Sequence, residues 1–307
     1  MDAPPVPPPP PMMHNAKGIH TDSEHGQNAK KVQFIKPSQP HTIGIAEVRA
    51  KLTCLPAWRN EQLAEQLSTW VSVYHPVAAI LQEGPKCGVV ALCMANYLLN
   101  TRPVSADCAF KAAKAHGFTM YGEMFSVINM CKLAEELLDC EAIRLTSGLS
   151  DSKIVYKHLD NGWPILVPYD KDESNSPCCR RGNKAHWAVI TGYLVRLDSL
   201  PDSLKLNQDQ DMSNLYHVPK NVCLSSKIAC LLQEADSSSI YVYGKQGKSN
   251  HLGIWSYQDL LLSNSNLLEW HAGKNDVDER DMVLSGGGIE QGLCNQIILL
   301  KPKSEKL

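Results

Sequence analysis

A cysteine and a glutamine stand where the chain enters a long apolar segment. Gln82 and Cys87 lie within residues 81–88, and the apolar run 89–99 follows at once. Because this run is apolar on nearly every face, it predicts a buried core helix with Cys87 at its N-terminus. Unpaired backbone N–H groups and the positive end of the helix dipole favour a thiolate at that position. A thiolate can attack a carbonyl carbon, and the Gln82 amide could donate to the oxyanion that forms.

A thiolate nucleophile needs an imidazole partner, and His186 is the best candidate. It opens the β-rich apolar segment 186–195, which predicts a buried strand. An earlier predicted strand, residues 165–169, ends in a polar loop, so His186 is expected at a loop-to-strand junction. Of the other ten histidines, His251 and His271 are the weaker alternatives, and the rest lie in polar or helical contexts.

A third residue normally orients the imidazole by a hydrogen bond to its second nitrogen. A predicted strand over residues 239–243 runs into the polar segment 244–250. Gln246, Ser249 and Asn250 of this segment could each supply the orienting group. The sequence does not choose among these three residues.

Four segments together resemble the actin maturation protease family. They are residues 81–99, residues 186–192, residues 247–255 and residues 286–300. The resemblance covers about residues 75 to 303, and the combination is far more specific than any single segment. It implies an α+β fold of the papain-like cysteine peptidases, related to the leader peptidases, in which a helical N-terminal half carries the cysteine and a β-rich C-terminal half carries the histidine.

The resemblance also implies an activity. It implies a cytosolic cysteine aminopeptidase that removes the acetylated first residue, acetyl-Met or acetyl-Cys, from immature actin. Cys87 would be the nucleophile and His186 its partner, and Gln82 would stabilise the oxyanion together with the Cys87 backbone N–H. The alternatives are another papain-like peptidase, acting on isopeptide or internal bonds, and a non-enzymatic protein that binds profilin or SH3 domains. The preferred actin isoform and the oligomeric state stay open.

The N-terminus is an almost uninterrupted proline run over residues 1–13. Such a run cannot form helices or sheet ladders and adopts an extended polyproline II conformation. SH3 domains, WW domains and profilin bind this conformation in aromatic-lined grooves. Because profilin carries monomeric actin, a profilin-binding tail would raise the local concentration of an actin substrate.

The chain is organised as a tail and one larger domain. Residues 1–45 are rich in polar residues and proline and are expected to be disordered, and residues 46–307 are expected to form the peptidase domain. A polar insert at about 197–238 is expected to be a long surface loop that is either disordered or a substrate-facing insertion, and its role stays open. The predicted elements include helices over 60–74, 124–138 and 152–160 and a final strand over 296–301.

Composition excludes several classes of function. The net charge is −2 without a basic stripe, which gives no reason to expect a nucleic-acid partner. No apolar segment is long enough for a membrane span and no secretory leader is present, so a cytoplasmic location without membrane attachment is expected. The 11 cysteines are odd in number and irregularly spaced, as in a chain with reduced thiols. Neither a metal nor another cofactor is expected.

The vicinal pair Cys178 and Cys179 precedes His186 in a loop that is expected to be exposed. Adjacent cysteines without a second pair seldom form a zinc site. Redox sensitivity is the other functional interpretation of this exposed pair. The neighbouring Arg180 and Arg181 would favour thiolate character. They could also bind an acidic stretch after the first residue of the substrate, which the resemblance implies.

Overall fold

The computed structural model describes residues 40–61, 68–200, 204, 206–219, 239–269, 282–284 and 286–303. The compact unit that contains all of them spans Gln39–Leu307. The proline run therefore lies outside the described residues. The first described helix begins at Pro40, within the segment 1–45 predicted to be the tail.

The helices of the described part vary from one to almost four turns. They are α1 (Pro40–Leu52), α2 (Pro56–Glu61), α3 (Cys87–Leu99), α4 (Ala106–Ala115), α5 (Val127–Leu137), α6 (Ser152–Asp160), α7 (Tyr257–Ser265) and α8 (Gly288–Leu293). Four of them begin at a side-chain cap, in which an oxygen accepts a backbone N–H of the first turn: Ser105, Ser126, Asp151 and Ser256. None of the described helices is long and apolar enough to span a bilayer.

Nine described strands form one sheet. They are β1 (Thr69–Tyr74), β2 (Cys140–Leu145), β3 (Ile165–Asp170), β4 (Ala185–Leu197), β5 (Asn207–Gln208), β6 (Leu215–His217), β7 (Ile240–Gln246), β8 (Gly253–Ser256) and β9 (Ile297–Pro302). The main order is β2-β9-β3-β4-β1-β6-β5, and β7 and β8 extend from β4. The pairs are antiparallel except β1 with β6. The long strand β4 is the hub, since it pairs with β3, β1 and β7.

The two faces of β4 pack against different helices. Trp187 and Val189 belong to the core beneath α3, α4 and α5. Ala188 and Ile190 face the other way, into the core formed with α6 and α7. This alternation follows from the two-residue period of a strand, and burial on both faces explains why the β4 sequence is a continuous apolar run.

Helix α3 lies at the centre of the first core. Of its 13 residues, 11 are buried, as its uniformly apolar sequence predicts. Burying one large aliphatic side chain stabilises a fold by about 1.5–3 kcal/mol, so α3 is a major source of stability as well as the support of the site.

The helix predicted over 60–74 is wrong at its C-terminal end, where residues 69–74 form β1. The prediction relies on the helical spacing of Leu63, Leu67 and Trp70. Residues 69–74, however, are mostly aromatic and β-branched. Those residue types fit a buried, pleated surface. Since the four central residues of β1 are buried, contact with β4 decides its conformation.

The insert predicted as a surface loop contains ordered strands. Its residues 206–219 include β5 and β6, and β6 pairs with β1. The buried Asp209 accepts hydrogen bonds from Arg49 of α1 at 2.8 Å and from His217 of β6 at 2.8 Å. This polar cluster joins the insert to the body of the domain.

The fold is a mixed α and β structure in which the two halves of the sequence share the sheet. Strands β1 and β2 come from the predicted helical half, while α7 and α8 come from the predicted β-rich half. The α+β class is therefore compatible with the structure, and the separation into helical and β-rich halves holds only approximately.

A single glycine allows β4 to bend. The register between β4 and β7 shifts between Ile190 and Tyr193, and Gly192 within this bulge has a φ of +154°. A Cβ at Gly192 would lie 2.0 Å from the Val73 carbonyl oxygen in β1. Only glycine permits this approach of two backbones.

We predict that Gly192→Ala lowers the free energy of unfolding by about 3 kcal/mol or more, because β1 and β4 must separate to admit the methyl group. The matched control is Gly117→Ala, at φ +67° with open space around the position, where only backbone strain of about 1–2 kcal/mol applies. Urea unfolding monitored by tryptophan fluorescence measures both. Equal losses for the two variants would contradict the proposed backbone clash.

Candidate active site

The sequence places Cys87 at the start of α3, and the structure agrees. Cys87 is the first residue of the helix, Lys86 is its N-cap, and no side chain caps the terminus. The Cys87 residue is only 9% exposed. A Cβ at Gly88 would lie 2.7 Å from the Met130 side chain and 2.9 Å from Met124, so a glycine here lets the helix begin deep in the core.

His186 lies near the start of β4 and is 4% exposed. It pairs in register with Tyr169 of β3, whose ring meets the imidazole edge-on at a centroid distance of 5.8 Å. The adjacent Trp187 donates its indole N–H to the Met124 carbonyl oxygen at 2.7 Å, which fixes the start of β4 against the segment before α5.

The structure brings Cys87 to the same point of β4. The Cys87 thiol interacts with the backbone N–H of Trp187, the residue directly after His186. The N–H groups of Gly88 and of Cys87 itself also face the sulfur. The fold therefore brings the thiol to the residue next to His186, which lies 99 positions later in the sequence, and both side chains are buried.

Of the three candidates for orienting the imidazole, the structure brings Gln246 to His186. The Oε1 atom of Gln246 lies 3.3 Å from His186 Nε2 and also accepts the backbone N–H of Lys248 at 2.6 Å. Ser249 and Asn250 make other contacts, with His251 and Lys245.

The identity of this oxygen sets the tautomer of the imidazole. An amide oxygen only accepts hydrogen bonds, and the donation from Lys248 N identifies the atom facing His186 as Oε1. Nε2 of His186 must then carry the proton in this contact. In the neutral imidazole Nδ1 is left with a lone pair, which is the form that can accept a proton from a thiol.

Gln82 packs against Gly247, the residue after Gln246. The Gln82 backbone N–H donates to the Gly247 carbonyl oxygen at 2.8 Å, and the side-chain Nε2 donates to the Gly84 carbonyl oxygen at 2.7 Å. A Cβ at Gly247 would lie 2.8 Å from Gln82 Oε1, so glycine is needed for this packing. Gln82 Oε1 is buried without a hydrogen-bond partner among the described residues. The predicted oxyanion role of Gln82 stays a prediction.

Burial governs the protonation of the pair. It raises the pKa of the Cys87 thiol, and this effect exceeds the opposing influence of the three N–H groups and of the Lys248 charge. Burial also lowers the pKa of His186 to about 3, against the opposing effect of the hydrogen bond that His186 donates to Gln246. The thiolate expected from the helix terminus is therefore not the favoured form in the free protein, where both groups are neutral near pH 7.

A buried carboxylate shapes the loop before His186, and sequence reasoning missed it. Asp170, the last residue of β3, accepts backbone N–H groups from Arg180 at 2.7 Å, Gly182 at 2.9 Å and Lys184 at 3.1 Å. Its own backbone bonds with Ser263 of α7. The signal that could have revealed it is an acidic residue at the end of an apolar strand. The predicted strand ends at residue 169, however, which leaves Asp170 in the loop.

The end of β7 that carries Gln246 is anchored to α1. The buried Lys245 forms an ion pair with Glu47, and the same carboxylate accepts the Leu252 N–H at 2.9 Å. The Lys245 ammonium also donates to the Asn250 carbonyl oxygen at 3.2 Å. These contacts close the segment between β7 and β8 and thereby fix Gln246.

The structure gives no support to the other sequence candidates. Burial raises the pKa of Cys178 to about 11 and also raises the pKa of Cys179, which contradicts the predicted thiolate character. No group of metal-ligating side chains occurs among the described residues. His251 is exposed, and His271 lies outside the described residues.

Comparisons with known proteins agree with the resemblance found in the sequence. Residues 77–194 match the family described as "Actin maturation protease-like, C-terminal domain". The chain is 34% identical to the actin maturation protease of Mus musculus over 287 residues, which cover 88% of this chain and 78% of the relative.

Two further relatives give the same result. The Homo sapiens actin maturation protease is 37% identical over 238 residues, covering 76% of this chain and 66% of the relative. The Xenopus tropicalis actin maturation protease is 34% identical over 282 residues, covering 89% of this chain and 87% of the relative. No solved structure matches the chain.

We predict that Gln246→Ala lowers kcat about tenfold to a hundredfold, a fraction of the usual contribution of general acid–base catalysis, because His186 loses the acceptor that fixes its tautomer. In the wild type, kcat/KM should stay level from pH 7 to pH 5, since the pKa of His186 is about 3. Gln246→Glu should move the acid limb to higher pH, because a carboxylate beside His186 raises the pKa of the imidazole. Peptide hydrolysis across this pH range measures both effects.

The matched controls are Ser249→Ala and Asn250→Ala, which alter the same loop without touching His186. They should retain kcat within about twofold and keep the wild-type pH profile. An equal loss in all three alanine variants, or an unmoved acid limb in Gln246→Glu, would show that Gln246 only maintains the loop.

Proposed function

This chain belongs to the actin maturation protease family, and we propose that it is a cysteine aminopeptidase that removes the acetylated first residue of immature actin. The observation that carries the proposal is the convergence of Cys87, His186 and Gln246 in one buried site. The curated relatives supply the substrate, since their name refers to the maturation of actin.

In the proposed mechanism Cys87 is the nucleophile and His186 the base. Nδ1 of His186 takes the thiol proton as the sulfur attacks the carbonyl carbon of the first residue. The new negative charge resides on the former carbonyl oxygen. The Cys87 N–H at the open helix terminus and the Gln82 amide are the proposed donors to this oxyanion.

Collapse of the tetrahedral intermediate breaks the peptide bond. The imidazolium of His186 gives its proton to the leaving amine, which becomes the new N-terminus, and the acyl group stays on Cys87 as a thioester. His186 then deprotonates a water molecule, which attacks the thioester and releases the acetylated amino acid. The Gln246 oxygen accepts the Nε2 proton of the imidazolium and stabilises it both while the thioester forms and while it is hydrolysed.

The charges near the pair favour an acylated substrate. Lys171 and Lys248 act on the pKa of His186, both lowering it. A free α-ammonium group would be repelled by these cations, whereas an acetylated nitrogen is neutral. The buried carboxylate of Asp170 is occupied by three backbone N–H groups and is a poor partner for an amine.

The proposal extends to fold type, location and partner. A helix that presents a cysteine to a strand bearing a histidine supports a papain-like arrangement. Nine cysteines of the described part are unpaired, which supports a reducing compartment such as the cytoplasm. The proline run, residues 1–13, supports profilin as the partner that delivers actin.

The test is mass spectrometry of the N-terminus of an acetylated, Met-initiated actin after incubation with the chain. We expect the wild type to remove acetyl-methionine and Cys87→Ala to leave actin intact. Cys93→Ala, which removes another buried thiol of α3, should process actin like the wild type.

Three results would overturn parts of this proposal. An intact N-terminus with the wild type would exclude the actin substrate under these conditions and favour another peptidase activity. Processing by Cys87→Ala would exclude Cys87 as the nucleophile. Equally fast removal of an unacetylated methionine would exclude the preference for an acylated substrate.

A further inference from the structure

Two lysines lie near the proposed catalytic pair. Lys171 approaches His186 from the end of β3, and Lys248 from the end of β7. Lys171 directly follows β3, and its backbone N–H donates to the Lys184 carbonyl oxygen at 3.3 Å. It therefore lies two residues beyond Tyr169, the register partner of His186. Its side chain is half-buried.

Lys248 approaches from the β7 side. Its backbone N–H donates at 2.6 Å to Gln246 Oε1, the atom that faces His186. Its charge lowers the pKa of Cys87, of His186 and of Lys171, so all three groups lie within its electrostatic reach. Both lysines therefore contribute positive potential to the same site.

In the described part of the chain, three neighbouring cations form ion pairs within 4 Å, and these two lysines do not. Arg180 and Lys184 both pair with Glu173, and Arg181 pairs with Glu269. Among the described residues, no carboxylate lies within 4 Å of the Lys171 or Lys248 ammonium group. The Lys171 ammonium donates only to the Asp172 backbone oxygen, at 3.3 Å.

Like charges close to one another at the edge of a buried site repel each other. Burial lowers the pKa of Lys171, the charges of Lys184 and Lys248 lower it further, and the nearby carboxylates of Asp172 and Glu173 oppose this effect. Anionic groups of a bound ligand would reduce the repulsion between the lysines. A peptide bound across the site is the ligand that would bring such groups.

We propose that Lys171 and Lys248 form an anion-binding rim that recognises acidic side chains directly after the scissile bond. This inference rests on the proposed aminopeptidase function, because a substrate with one neutral acylated residue before the scissile bond can carry its acidic residues only after it. It replaces the expectation that Arg180 and Arg181 bind the acidic stretch, since their charges are already paired.

The test measures peptide binding in the Cys87→Ala background, where no turnover occurs. The probes are two fluorescent peptides that differ only in charge, acetyl-Met-Asp-Asp and acetyl-Met-Asn-Asn, each followed by the same neutral sequence. We expect the acidic peptide to bind more tightly, and Lys171→Gln and Lys248→Gln each to weaken its binding about two- to fivefold. Neither variant should affect the amide peptide, and added salt should reduce the difference.

Arg180→Gln and Arg181→Gln are the matched controls, because they remove cations from the same loop that are already paired. The proposal fails if the two peptides bind equally, if the lysine variants weaken both peptides alike, or if only the arginine variants weaken the acidic one. Hydrolysis of both peptides by the wild type is a separate measurement. Its absence would refute the proposed reaction, whereas the binding comparison decides the role of the lysines.

Discussion

The geometry of the site depends on how closely the N-terminus of α3 lies against the start of β4. Gly88 lets α3 lie directly against Met124 and Met130, because no side chain separates the helix from them. Trp187 fixes the strand from the other side through its hydrogen bond to the Met124 carbonyl oxygen. Because the helix is almost wholly buried, its position has little freedom, and the thiol it carries is held beside the start of β4, the strand that bears His186.

The same burial determines the electrostatics. Removing Cys87 and His186 from water favours their neutral forms, so an ion pair is not stable in the free protein. Two of the buried polar groups near the pair are well satisfied: Asp170 has three backbone donors, and Gln246 Oε1 has Lys248 N and His186. Gln82 Oε1 is buried without a partner among the described residues. The unpaired charges are left at the rim. In the proposed reaction, a neutral acylated residue enters the buried site and charged residues stay outside.

The parts that the sequence could predict are local. Cys87 at a helix start follows from an apolar run after Pro85, and the His186 strand follows from β-branched and apolar residues. The choice of Gln246 over its neighbours could not be predicted, because it depends on the register that sets Gln246 opposite Ala188. The protonation of Cys87 was predicted wrongly for a related reason, since the helix terminus is a local feature whereas burial is a property of the whole fold. The strand β1 was mistaken for a helix because its conformation depends on pairing with β4.

The most direct test of the account is to trap the covalent intermediate. The wild type would be mixed with an acetyl-methionyl substrate, quenched in acid during turnover and analysed by intact mass and peptide mapping. We expect an acetyl-methionyl thioester on Cys87, absent from Cys87→Ala and from a wild type quenched before substrate is added. An adduct on another residue would contradict the assignment of the nucleophile. Turnover without any adduct, under conditions where hydrolysis of the intermediate is slowed, would contradict covalent catalysis.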